Sequence, residues 1–113
     1  MIKIKVIRND ACSVRGFTVS GHAGFAESGK DIVCAAISAL AYTAAGALLE
    51  LIGIDGYKEK HGYMKCVIPE DIPEDKKKKA EIILETIIVG FKQIEGSYAR
   101  YVSVLDEEVL TDD

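Results

Sequence analysis

At 113 residues, with 14 Lys and Arg against 18 Asp and Glu, the chain carries a formal net charge of -4. That length fits one compact domain, 1–113, which can bury a core without disulfides or metals. The acidic balance excludes the clustered cationic surface that nucleic-acid backbones require; it suits a basic partner, or simply solubility. Three cysteines with no CxxC pair exclude a disulfide framework and a Cys-rich zinc site, and fit reduced thiols in the cytoplasm.

Residues Ile2 to Ile7 alternate Lys with Ile and Val, which predicts a half-buried strand and not a signal peptide. Asn9 to Ser13 reads as a polar turn. Phe17 to Ser20 reads as a second short strand, hairpin-paired with the first. A glycine-rich loop follows, from Gly21 to Lys30. Asp31 then opens a long helix, Ile32 to Ile52, which Gly53 stops.

From Ile32 to Leu49 only Ser38, Tyr42 and Thr43 interrupt an apolar run, close to the lower limit of about 17 to 20 residues for a membrane-spanning helix. Its alanine and glycine content, the bracketing Asp31 and Glu50 and the lack of an aromatic belt argue for a buried helix of a soluble protein, packed on both sides. No membrane contact is expected. The small residues Ala36, Ala39, Ala44, Gly46 and Ala47 allow close helix approach, so a homodimer with this helix near its interface is expected.

Tyr57 to His61 and Tyr63 to Ile68 predict two short strands around the turn His61-Gly62, with Met64, Cys66 and Ile68 on one face. Pro73, Glu74 and Asp75 mark a second helix start. Ala80, Ile83, Leu84, Ile87, Ile88, Phe91 and Ile94 give it an apolar stripe, and Gly96 is the expected stop. Tyr101 to Leu105 forms a last strand, and the acidic tail after it is expected to fray. The order ββαββαβ defines an α+β domain: a mixed or antiparallel sheet packed against two helices.

The chemistry-bearing residues cluster between Gly21 and Ser38. With Asp31 as N-cap, Cys34 is the third helical residue, and Asp31 is placed to accept a hydrogen bond from its N–H. The partial positive charge of a helix N-terminus favours thiolate over thiol. The competing reading is a small core residue, since unpaired cysteines are among the most buried side chains. His22, between Gly21 and Gly24, is placed to return to the helix start and serve as base toward the thiol and acid toward a leaving amine; alone, it reads equally well as a surface histidine. Asp31 caps the helix, orients His22, or both. Ser38 lies one turn beyond Cys34, near the sulfur or bonded back to its own helix. Loop N–H groups near Gly24 or Gly29 are candidates for an oxyanion hole. His61, far along the chain, reads as structural. Gly24 to Lys30 also matches the G-x-x-x-x-G-K core of a phosphate-binding loop, but Asp31 stands where magnesium binding wants Ser or Thr, and Glu27 falls inside the anion cradle.

Gly21-His22-Ala23-Gly24, paired with Gly29-x-Asp31-Ile32-Val33-Cys34-Ala35-Ala36-Ile37-Ser38, closely resembles the ribosomal-processing cysteine protease family, Prp. The resemblance covers nearly the whole chain in length and element order. It implies that His22 and Cys34 are the catalytic dyad; from the residues themselves, Asp31 and Ser38 are read as supporting groups and Gly21, Ala23, Gly24 and Gly29 as loop or substrate-binding positions. It implies a homodimeric cytoplasmic enzyme, and no metal or cofactor is expected. Its substrate would be the N-terminal extension of large-subunit ribosomal protein L-twenty-seven, cut after a Phe-Phe pair. The alternative is a non-enzymatic ribosome-associated module that uses the same surface only to bind a peptide or protein.

Overall fold

The computed structural model describes residues 1–27 and 30–106. Gly29, and the acidic tail from Glu107 onward, lie outside the described residues. Seven elements follow the expected order: β1 (Ile2–Arg8), β2 (Val14–Ser20), α1 (Ile32–Ile52), β3 (Tyr57–Lys60), β4 (Tyr63–Val67), α2 (Glu74–Ser97) and β5 (Val102–Leu105). The sheet runs β3-β4-β2-β1-β5. All neighbours are antiparallel except β1 and β5, which run parallel, so the sheet is mixed.

Alternation in the sequence sets which face is covered. Ile2, Ile4 and Val6 are buried while Lys3 and Lys5 are exposed, as a one-sided sheet requires. On the covered side Phe17 of β2 meets Phe91 of α2 edge-to-face, with ring centroids 5.1 Å apart. Val33, Ile37, Ala41, Ala44, Leu48 and Ile52 form the buried stripe of α1, and Ala80, Leu84, Ile87, Ile88 and Phe91 that of α2.

β2 begins at Val14, three residues earlier than its sequence suggests. Gly16 looks like a strand breaker but is a close-approach residue: a Cβ there would stand 2.1 Å from the Cys66 carbonyl oxygen. The start of α1 is capped by Asp31. At its end Gly53 adopts φ +70, with Gly53 N–H donating to Leu49 O and Ile54 N–H to Leu48 O, a paired left-handed cap. Gly96 does not stop α2. It stays helical, and the helix ends at Tyr98, whose N–H donates to Ile94 O.

Two further expectations are corrected. α1 is not packed on both sides within this chain: its outer side leaves Ile32, Ala35, Ala39, Tyr42, Gly46 and Leu49 exposed. Its 21 residues, of mean hydropathy 2.0, are long and apolar enough to cross a membrane by composition alone, yet here one side of the helix forms the core. Asp106, the first residue of the supposedly frayed tail, is tied down. Its carboxylate accepts from Arg8 Nε at 2.6 Å and Lys92 Nζ at 2.7 Å, and its side chain is 6% exposed.

Candidate active site

β2 delivers His22 to the start of α1. The β2–β4 ladder is prolonged by Gly21 N–H donating to Gly62 O at 3.0 Å. Gly21 has φ +84, and a Cβ on it would stand 2.5 Å from the Met1 carbonyl oxygen. Only glycine satisfies both conditions without strain, so the chain turns sharply there and presents an exposed His22. The imidazole lies over Gly62, where an added Cβ would be 3.9 Å from His22 Nε2.

The first turn of α1 delivers Cys34. Asp31 Oδ1 accepts from Val33 N–H at 3.0 Å and from Cys34 N–H at 2.9 Å. Asp31 Oδ2 turns the other way and accepts from Phe25 N–H at 3.1 Å and, more weakly, Ala26 N–H at 3.4 Å. One carboxylate thus caps the helix and folds the loop back onto it. These N–H groups, that of Cys34 foremost, hold the Asp31 carboxyl below the usual carboxylate range. The same bonds fill the supposed phosphate cradle with the chain's own carboxylate. Lys30, which would reach a phosphate, pairs with Glu27 at 3.2 Å.

The Cys34 sulfur is half-buried and accepts a hydrogen bond from Ala23 N–H at 3.3 Å. The other cysteines differ. Cys66 is buried in the core, and burial, with a smaller contribution from Asp55, pushes its thiol up to about 11. Cys12 is exposed at the far end of the β1–β2 hairpin.

His22, Cys34 and Ser38 line two adjoining clefts. One, of about 690 Å³, runs along α1 and is floored by Ile2, Val19, Ile37, Ala41 and Met64, with the β3–β4 hairpin as its far wall. The other, of about 570 Å³, lies under the loop and is lined by Gly24, Ala26, Asp31 and Ala35. The sulfur therefore sits between two clefts. Ser38 is exposed toward both.

Several site residues escaped the sequence reading. His61, taken as structural, lines the larger cleft together with Glu59 and Gly62. The antiparallel pairing of β4 with β2, and of β3 with β4, brings them there, and nothing local signals it. Phe25 rests edge-on against Tyr101 (5.1 Å) and Tyr98 (5.6 Å), which pins the loop to the end of α2. No cluster of three or more His, Cys, Asp or Glu able to hold a metal occurs among the described residues.

A half-buried sulfur at a helix N-terminus, sharing a cleft with an imidazole, is the arrangement of a thiol hydrolase, and similarity to known proteins makes that class cysteine protease. Residues 1–103 match the sequence model of the family described as cysteine protease Prp, and the chain belongs to that family. The ribosomal processing cysteine protease Prp of Bacillus subtilis (strain 168) is 33% identical over 101 residues, covering 87% of this chain and 90% of that protein. Two crystal structures of the S. aureus protease Prp are similar throughout. One, in complex with a covalently linked product peptide, gives a TM-score of 0.75 at 26% identity over 93% of this chain and 98% of that one. The other, with a substrate peptide, gives 0.76 at 25% identity over 92% and 97%.

Proposed function

We propose that this chain is a cytoplasmic endopeptidase that removes the N-terminal extension of ribosomal protein L-twenty-seven, cutting after a Phe-Phe pair. The observation that carries the endopeptidase reading is the position of Cys34 between two clefts, so that a peptide continues on both sides of the cut. The ribosomal substrate is supported by the names of the relatives in Bacillus subtilis and S. aureus. The apolar floor of the larger cleft suits phenylalanine rings and supports our assignment of the acyl side of the substrate to it. The acidic chain suits a basic ribosomal protein.

In this reading Cys34 is the nucleophile and His22 its base. His22 takes the thiol proton as sulfur attacks the carbonyl carbon of the second phenylalanine. Collapse of the tetrahedral intermediate breaks the C–N bond, His22 returns the proton to the leaving amine, and water then hydrolyses the thioester. Cys34 N–H is already committed to Asp31, so the oxyanion needs other donors. Ala23 N–H, aimed at the sulfur, is the one we assign. Mass spectrometry of a peptide carrying the L-twenty-seven extension tests this. The protein should cut after Phe-Phe and its Cys34→Ala variant should not. An uncut peptide with a folded protein would favour the binding-module reading or a different substrate.

We also propose a homodimer through the outer side of α1. Ile32, Ala35, Ala39, Tyr42, Gly46 and Leu49 repeat at three- and four-residue steps there, and Ile32 and Leu49 are each more than half exposed. Tyr42 keeps the spacing but turns its hydroxyl to Glu59. Such spacing is that of a helix seam. Sedimentation at micromolar concentration should show a dimer that Leu49→Glu dissociates; a monomeric parent protein would refute it.

A further inference from the structure

The larger cleft does not end in apolar residues. Tyr42 Oη donates to Glu59 Oε1 at 2.6 Å, and Tyr57 lies against the pair with its ring centroid 5.9 Å from that of Tyr42. The Tyr42 hydroxyl, aided by that of Tyr57, holds the Glu59 carboxyl below its ordinary range, so it is ionised at neutral pH. An ionised carboxylate has room for about four hydrogen bonds, and Glu59 is exposed toward the cleft.

Its place relative to the sulfur follows from helix geometry. Cys34, Ser38 and Tyr42 are four residues apart on one face of α1. Eight residues of helix span about 12 Å, and an extended peptide covers about 3.3 Å per residue. Tyr42 therefore stands three to four substrate residues from the scissile bond. The β3–β4 hairpin spans the same distance, with Gly62 against His22 at one end and Glu59 against Tyr42 at the other. Lys60 and His61 line the wall between them.

We propose that Tyr42 and Glu59 form a polar subsite that takes an amide or ammonium side chain three or four residues before the cut. The subsite rests on the assignment of the acyl side to the larger cleft. A substrate would thus be read twice: by ring burial beside the sulfur and by hydrogen bonding to a carboxylate farther up the chain. An acidic residue at that second position meets a like charge and is disfavoured.

The test uses peptides of the Phe-Phe sequence in which Gln, Lys or Glu is placed in turn at each of four positions on either side of the cut. kcat/KM should favour Lys and Gln over Glu by roughly tenfold at the third or fourth position on the acyl side, mainly through KM. Glu59→Lys should invert that order. Glu59→Gln, which keeps the size and surroundings of the side chain, should erase the advantage of Lys over Glu. A cut with no such preference on the acyl side, or with preference only on the leaving side, overturns the subsite alone. Failure to cut even the unsubstituted peptide overturns the Phe-Phe substrate reading and the subsite with it.

Discussion

Asp31 performs two tasks that separate by substitution. Its Oδ1 caps α1 and its Oδ2 holds the Phe25 and Ala26 amides. Asparagine is as good a cap as aspartate, but its amide nitrogen cannot accept from the loop. Asp31→Asn should therefore keep the melting temperature nearly unchanged while amide exchange at Phe25 and Ala26 quickens roughly fivefold; Asp31→Ala should lower both loop protection and melting temperature. Equal melting of the two variants would show that the cap contributes nothing. The pH dependence follows from the lowered carboxyl. A group whose folded value is depressed stabilises fully above its unfolded value of about 3.9 and loses that contribution as pH falls through the folded one. Loop protection should thus persist through neutral pH and fail only in acid.

At the scale of elements, the loop between β2 and α1 has a second tie at Phe25. Two edge-to-face contacts contribute about 0.5–1.5 kcal/mol each when buried, and a ring 39% exposed falls at the lower end. Phe25→Ala should lower Tm by about 4 °C and speed exchange at Gly24 and Ala26, with α1 protection intact by hydrogen exchange. Fraying of α1 in that variant would mean that the two ties act as one. The boundaries of α1 were legible because Asp31 and Gly53 state them locally, and the β3–β4 turn because His61-Gly62 does. The start of β2 was hidden because Gly16 serves a neighbouring strand's backbone, not its own turn. His22, Cys34 and Asp31 were legible as a group within thirteen residues. Glu59, His61 and the Tyr98–Tyr101 seat were not, since strand pairing and helix docking bring them to the site from 25 or more residues away, about which local pattern is silent.

Across the whole molecule, Asp106 joins β5 to β1 through Arg8 and to α2 through Lys92, and Arg8 also reaches Glu85 at 3.1 Å. The hydrogen bond from Arg8, with a smaller one from Lys92, brings the Asp106 carboxyl down to about 2. Its stabilisation, on the order of 2 kcal/mol, is complete above about pH 4 and lost as pH falls toward 2. Urea unfolding across pH 2–7 should show that loss in the parent protein and a flatter profile in Asp106→Asn, which starts less stable at neutral pH. Profiles of identical shape would sink the assignment. The partnership of β1 with β5 also carries a consequence in time. Ile2, on the cleft floor, donates its N–H to Tyr101 O at 2.8 Å, and β1 pairs with β5 from Ile2–Val102 to Lys5–Leu105. β1 waits for a strand made much later. His22 and Cys34 precede Val102 in the chain, so the floor beneath them is completed only after β5 has been made.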